Sequence, residues 1–294
     1  MSSLKYLVLA GPTAVGKSDL AIEIAQKLQT EIVGADAFQI YDGLDILTAK
    51  PSLEQLAAVP HHLVGILPLI EMCDAHRYAQ IATQVIQTLN EKGIVPLVSG
   101  GTGFYLDSFA GVLSDLPSAD QDIRNAFEQR SLEELLVQLR DLDPVAWEKI
   151  DRNNRRRVIR ALEVCLITEK PFSSFRSPPS AMTSFPRFWL ERSRADLYER
   201  IDRRIDRMFD LGVVSEVAAI SDISPTASQA IGFRHIRTHL TGELGEQDCL
   251  DAIKQLTRNY AKRQITWFRN RGYEPISADQ PVDRIIEILR TEAK

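Results

Sequence analysis

The chain has 294 residues, a net charge of −5, 44% hydrophobic and 26% charged residues. Such a balance describes a globular protein, one large domain or a main domain with a second lobe, and argues against one that coats nucleic acid indiscriminately. No window approaches the roughly 18 apolar residues of a membrane span, and Cys73, Cys165 and Cys249 lie too far apart for a metal or C-x-x-C spacing, so a cytoplasmic protein with reduced thiols is expected.

Residues 5–10, KYLVLA, form a short continuous apolar run with no signal-peptide features, as expected of a buried parallel strand. It runs into G-P-T-A-V-G-K-S, that is Gly11, Pro12, Thr13, Ala14, Val15, Gly16, Lys17 and Ser18. This spacing is that of a P-loop, whose backbone N–H groups cradle phosphate at the positive end of the next helix. Lys17 is expected to reach the terminal phosphates and the Ser18 hydroxyl to join a Mg²⁺ shell. Apolar positions Leu20, Ala21, Ile24, Ala25 and Leu28 predict a helix over 17–29. A second buried strand is predicted at 31–35, ending at Asp36, a carboxylate that could bind Mg²⁺, act as general base, or cap the following turn.

His61 and His62 read as a turn before a strand, with no partner spacing that would make them ligands. Tyr78, Ile81, Ala82, Val85, Ile86 and Leu89 share one face of a helix predicted over 75–91. GIVPLVSGGTGFYL, at 93–106, then repeats the strand, glycine turn and helix. Its apolar strand ends in Ser99 where a Walker-B Asp would stand, and Gly100–Gly103 suits the close approach of a ligand. Strands alternating with helices imply a parallel sheet, with Gly11–Ser18, Asp36 and Gly100–Gly103 all at the carboxyl ends of strands.

After residue 112 the pattern becomes helical, near 120–141, 144–168 and 195–220, with one possible strand at 186–191. The Pro- and Ser-rich stretch 170–186 reads as a loop or flexible linker. RNNRRRVIR (152–160) carries five arginines, and KQLTRNYAKRQITWFRNR (254–271) six basic residues, neither with an acid. On a helix over 248–269, Arg258, Lys262 and Arg269 share a face, while Ile253, Leu256, Tyr260 and Trp267 can form a buried seam. Each basic stretch reads either as a localised RNA-phosphate footprint or as a solvated helix face.

GPTAVGKS, ADAFQIYDGLDILTAKP, PHHL, SGGTGFYL, RVIRALEV, LYERIDRRID, QAIGF and YAKRQITWFR, in this order, resemble the bacterial tRNA dimethylallyltransferase (tRNA isopentenyltransferase) family over about residues 5–270. The resemblance implies an α/β P-loop NTPase-like parallel sheet flanked by helices, with an inserted, mainly α-helical tRNA-binding region. The divisions expected are 1–112 for the first part of the core, 113–200 for the insertion and 201–294 for a helical part completing the core. It implies transfer of the five-carbon group of dimethylallyl diphosphate to N6 of the adenosine 3′ of the anticodon, with diphosphate leaving; this explains the missing Walker-B Asp. Implied catalytic residues are Asp36 as base, Thr102, and Arg204, with Arg203 as a possible aid. The resemblance implies Mg²⁺ as cofactor and the tRNA anticodon stem-loop as partner, and a monomer is expected. The implied tRNA contacts are Asp36, Ala37, Phe38, Gln39, Thr102, Arg124, Arg156, Arg157, Val158, Ile159 and Arg160; Arg258, Lys262 and Arg263 join them from the second basic stretch. The chain departs from the family at Ala37, Asp42, Leu47, Gly65 and Asp151, and Leu47 is expected to disturb a turn that tolerates only glycine at positive φ. Three rivals stay open: an isopentenyltransferase acting on free adenine nucleotide, a P-loop kinase using ATP, and a non-catalytic tRNA-binding relative.

Overall fold

A computed structural model describes residues 4–109, 116–117, 119–175, 187–279 and 282–292. The described residues fall into two compact units, those of Met1–Leu106 with Met182–Lys294 and those of Asp107–Ala181.

The first unit holds a six-stranded parallel sheet, β1 (Leu7–Ala10), β2 (Ile32–Gly34), β3 (His61–His62), β4 (Leu97–Gly100), β5 (Arg187–Glu191) and β6 (Glu274–Ser277), ordered β3-β2-β4-β1-β5-β6. Leu7 pairs with Leu97 and Val8 with Arg187, so β1 lies between β4 and β5 and all four of its residues are buried. Helices α1 (Lys17–Leu28), α2 (Leu53–Ala58), α3 (Ala75–Glu91) and α4 (Gly103–Phe109) alternate with the first strands. The second unit carries α5 (Gln121–Glu128), α6 (Leu132–Leu142), α7 (Pro144–Lys149) and α8 (Arg155–Thr168). The sheet unit resumes with α9 (Arg194–Asp210), α10 (Val213–Ala218), α11 (Phe233–Leu240), α12 (Glu246–Arg269) and α13 (Val282–Glu292). Ala21, Ile24 and Ala25 of α1 join Leu197, Ile201 and Ile205 of α9 and Ile253 of α12 in one core cluster.

The structure corrects several expectations. The insertion does not run to residue 200: β5 pairs in parallel with β1, and α9 packs its Leu197–Ile201–Ile205 stripe into the sheet core. His61 and His62 are themselves the strand β3, pairing with Ile32 and Val33; His62 Nε2 lies 2.6 Å from a Glu31 carboxylate oxygen. The helices expected over 120–141, 144–168 and 195–220 are each broken in two. Ser131 starts α6 with a capping box, Asn154 caps α8, and Gly212 turns the chain at φ +90°. Of the linker 170–186, Phe172–Phe175 is a 3-10 turn and 176–186 lies outside the described residues.

In the helical unit Val158 and Ile159, implied as tRNA contacts, are instead core: they pack with Phe127, Leu135, Leu139 and Leu162. Arg124 and Arg160 converge on one fully buried carboxylate, Glu163. Arg124 donates to both its oxygens at 2.8 and 3.0 Å, Arg160 at 2.5 Å, and the Asp120 N–H at 2.8 Å. Burial pushes the Glu163 pKa up, but the two guanidiniums and the N–H outweigh it and hold the group below its ordinary value. The carboxylate therefore contributes stability above its unfolded pKa that is lost as pH falls through the depressed one. Arg156 and Arg157 remain exposed. Glu163→Ala is expected to destabilise the helical unit toward the lower end of ~3–5 kcal/mol, since both arginines keep some contact with water. Urea denaturation followed by circular dichroism measures it.

Candidate functional site

Three turns meet at the carboxyl edge of the sheet: Gly11–Ser18 after β1, Ala35–Gln39 after β2, and Gly101–Thr102 after β4. The first places Ala14 at φ +63° and Gly16 at φ +98° before α1, whose N-terminus has no side-chain cap. Arg200 Nε donates to the Ala14 carbonyl at 2.8 Å and Arg192 Nε to the Val15 carbonyl at 2.9 Å. Arg192 is itself held by Asp196 and Asp279. The N–H groups of Ala14 through Ser18 meet no acceptor among the described residues. An uncapped helix start with free N–H groups is an anion site.

Lys17 and Arg204 supply the charge. Desolvation pulls the Lys17 pKa down to about 8; Asp36 opposes this and Arg204 adds to it. Arg204 donates to Thr13 Oγ1 at 3.1 Å and to the Thr48 carbonyl at 3.2 Å, while its buried Nε has no acceptor. Its pKa is also lowered by burial, against the pull of Asp36. Arg203 lines the same cleft, where it is exposed and paired with Glu199. Ser18 sits exposed in the first turn of α1.

Asp36 is both cap and site residue. Its Oδ1 accepts from Phe38 N–H at 2.9 Å and Gln39 N–H at 3.2 Å, and among the described residues no hydrogen bond falls on Oδ2. Thr102 Oγ1 accepts from Ala37 N–H at 3.0 Å, and Thr102 N–H donates to the Ala35 carbonyl at 3.2 Å. Gln39 Nε2 bonds the Thr48 and Ala49 carbonyls, both at 3.0 Å. Asp36, Phe38, Gln39 and Gly101 line a cleft of about 1080 Å³ with Lys17, Arg200, Arg204, Tyr260 and Gln264; Thr102 stands behind it, next to Gly101.

The second glycine turn, expected to admit a ligand, admits protein instead. A Cβ on Gly100 would fall 2.0 Å from the Ala35 carbonyl oxygen, on Gly101 2.4 Å from Gln264 Nε2, and on Gly103 2.3 Å from Trp267 Cδ1. Leu47 disturbs nothing: its φ is not positive, its side chain is in the core, and its N–H and that of Ile46 donate to Glu216 at 2.8 and 2.7 Å.

Helical spacing puts Tyr260 in the seam and gives Gln264 no role of its own beyond its place in the YAKRQITWFR motif. Tyr260 lines the cleft with Gln264, and burial, then Asp36, pushes its pKa up to about 12. Leu256, also placed in the seam, is exposed. Arg258 is tied to Asp202 at 2.7 Å, Arg263 lies over the Tyr260 ring, and Lys262 is exposed. Local spacing gives no role to Gln264 or Arg200, although both stand in motifs that carry the resemblance, since each acts on a turn more than 160 residues away.

The sheet order, the turn after β1 and the uncapped α1 define a P-loop-like α/β fold with an anion site. The IPP transferase family model matches residues 39–271, and the chain belongs to that family. It is 40% identical over 272 residues to tRNA dimethylallyltransferase 1 of Citrifermentans bemidjiense, covering 90% of this chain and 89% of that one. It is 37% identical to the tRNA dimethylallyltransferase of Aquifex aeolicus, over 94% and 93% of the two chains. The crystal structure of the tRNA isopentenylpyrophosphate transferase of Staphylococcus epidermidis superposes with a TM-score of 0.69 at 31% identity, over 98% of each chain. A eukaryotic dimethylallyltransferase acting on tRNA gives a TM-score of 0.78 at 27% identity, covering 99% of this chain and 78% of that one.

Two outcomes follow for binding of an alkyl diphosphate, which is fully ionised above a pKa of about 6. Arg204→Ala weakens it about tenfold or more, the worth of a charge-assisted hydrogen bond, whereas Arg203→Ala leaves it unchanged. Affinity falls as pH rises past about 8, because Lys17 then loses its proton, and Lys17→Met removes that dependence. Titration calorimetry across pH 7–9 measures both.

Proposed function

We propose that the chain transfers the dimethylallyl group of dimethylallyl diphosphate to N6 of the adenosine 3′ of the anticodon, in tRNAs that read codons beginning with U. The observation carrying this reading is the meeting, in one cleft, of an unsatisfied anion site and a carboxylate with a free oxygen. The diphosphate lies on the P-loop N–H groups, and breaking the allylic C–O bond moves charge onto its oxygens. Lys17 and Arg204, already desolvated and fixed, stabilise that charge as it develops. N6 attacks the allylic carbon as its lone pair leaves conjugation with the ring, and Asp36 Oδ2 takes the proton released. Thr102, tied to Ala37, keeps the base-side turn in place. The target base leaves its stack to reach this depth.

Mg²⁺ fits the donor set. Among the described residues no group of three His, Cys, Asp or Glu could hold a metal, and the protein offers one exposed hydroxyl, Ser18, beside the P-loop. Mg²⁺ keeps most of its waters and takes its other oxygens from substrate phosphate, so Ser18 would hold it. When bound it would neutralise charge on the leaving group. No helix among the described residues is long and apolar enough to cross a membrane. We place the protein in the cytoplasm with its tRNA, acting as a monomer; of the expected tRNA contacts, Arg156, Arg157, Lys262 and Arg263 are exposed and can meet RNA phosphate.

An unmodified anticodon stem-loop incubated with the protein, Mg²⁺ and dimethylallyl diphosphate gains one five-carbon unit on that adenosine, read by mass spectrometry. ATP consumption without the gain would contradict the reading. Asp36→Asn keeps the Oδ1 cap but removes the base, and kcat falls about 10²–10⁴-fold with stem-loop affinity little changed.

A further inference from the structure

Gln264 is 5% exposed and neutral, and both ends of its amide are used. Its Oε1 accepts from Thr13 N–H at 2.9 Å, and its Nε2 donates to the Gly101 carbonyl at 2.8 Å. Thr13 is also the residue whose hydroxyl takes Arg204. Gly101 immediately precedes Thr102, which holds Ala37 next to Asp36. Tyr260, one turn before Gln264 on α12, lines the same cleft. The turn that holds the leaving group is thus joined to the turn that carries the base by a single side chain. Gly101 has no Cβ because Nε2 occupies its place, 2.4 Å from where a Cβ would stand.

We propose that Gln264 is a positioning residue that fixes the separation of the diphosphate cradle from the Asp36–Thr102 turn, so that the allylic carbon meets the adenine amine rather than water. The inference rests on the proposed reaction. Alkyl transfer needs near-contact geometry between carbon and nitrogen, and a small loosening costs rate steeply. With the tie cut, Lys17 and Arg204 still stabilise the departing diphosphate. Water then takes the carbon: its oxygen forms the new C–O bond, the old one leaves with diphosphate, and one proton goes to solvent. Dimethylallyl alcohol and diphosphate are the products.

The test compares diphosphate released with RNA alkylated, for the wild-type protein and for Gln264→Glu. The variant keeps the shape and the acceptor, but its ionised carboxylate cannot donate to Gly101. The wild-type protein releases one diphosphate per alkylated RNA. In the variant the ratio of transfer to release falls about tenfold or more at pH 8, the worth of one buried hydrogen bond. It recovers as pH is lowered, because a protonated carboxyl donates to Gly101 as the amide did. A role in folding alone would lower the melting temperature and the amount of active protein, and leave that ratio at one.

A variant that stays fully coupled at pH 8, at whatever rate, overturns the proposal. If Gln264→Glu does not fold, Gln264→Met is measured in its place, and coupled turnover there has the same meaning. Failure of both to fold makes the amide a folding element and overturns the proposal too. A wild-type protein with no transfer would instead overturn the reaction itself.

Discussion

Lys17 and Arg204 are two desolvated cations facing one carboxylate, Asp36. That imbalance is the constraint on which the rest of the site depends. Burial drives both pKa values down, and one anionic side chain does not restore them. The missing negative charge belongs to a ligand, and the backbone around the pair is arranged to receive it. The Ala14 and Val15 carbonyls are drawn off by Arg200 and Arg192, which leaves the N–H groups of the same turn for the anion. Gly16 starts α1 without a side-chain cap for the same reason. A site that stays electrostatically strained until its ligand arrives stabilises charge developing on that ligand with little reorganisation.

Close packing supplies the precision. Gly100 lets the Ala35 carbonyl approach, Gly101 lets Gln264 approach, and Gly103 lets Trp267 approach. The tight turn that looks made for a ligand is filled by α12, and the ligand is left the wider cleft beside it. Helix α12 therefore acts as a wall: Tyr260 and Gln264 face the cleft, Ile253, Ala261 and Phe268 are buried, and Arg258 is anchored to α9 through Asp202. Such a wall gives the donor and acceptor halves of the reaction a common rigid reference.

Local features were legible in the residues and distant ones were not. The apolar run before Gly11, the glycine turn after it and the helix over 75–91 follow from patterns a few residues long, and the structure has them at 7–10, 11–18 and 75–91. Asp36 was readable because it ends a buried strand; that Oδ1 caps the turn while Oδ2 takes no hydrogen bond among the described residues needed coordinates. The helix breaks at Ser131 and Asn154 were present as capping residues but masked by apolar spacing that continued across them. Strand β6 escaped because Glu274–Ser277 is short, largely exposed and contains Pro275, which suits an edge strand and weakens the pattern. Arg124 and Arg160 look like free charge in a linear reading. Glu163, buried between them, changes what they do; its i, i+3 spacing from Arg160 allows that pair, but nothing local announces its burial or Arg124 from 39 residues away. Gln264 and Arg200 act across the whole chain length, where local periodicity carries no information.

The central claim is that the P-loop holds a leaving group rather than a phosphoryl donor. The most direct measurement uses dimethylallyl diphosphate with oxygen-18 in the bridge between carbon and phosphorus, incubated with the protein, Mg²⁺ and the anticodon stem-loop. Mass spectrometry of the released diphosphate reads which bond broke. Cleavage between carbon and oxygen leaves all of the label in diphosphate and none in the RNA, as the account predicts. Label retained on the five-carbon fragment would mean that the phosphorus–oxygen bond broke, and would contradict it.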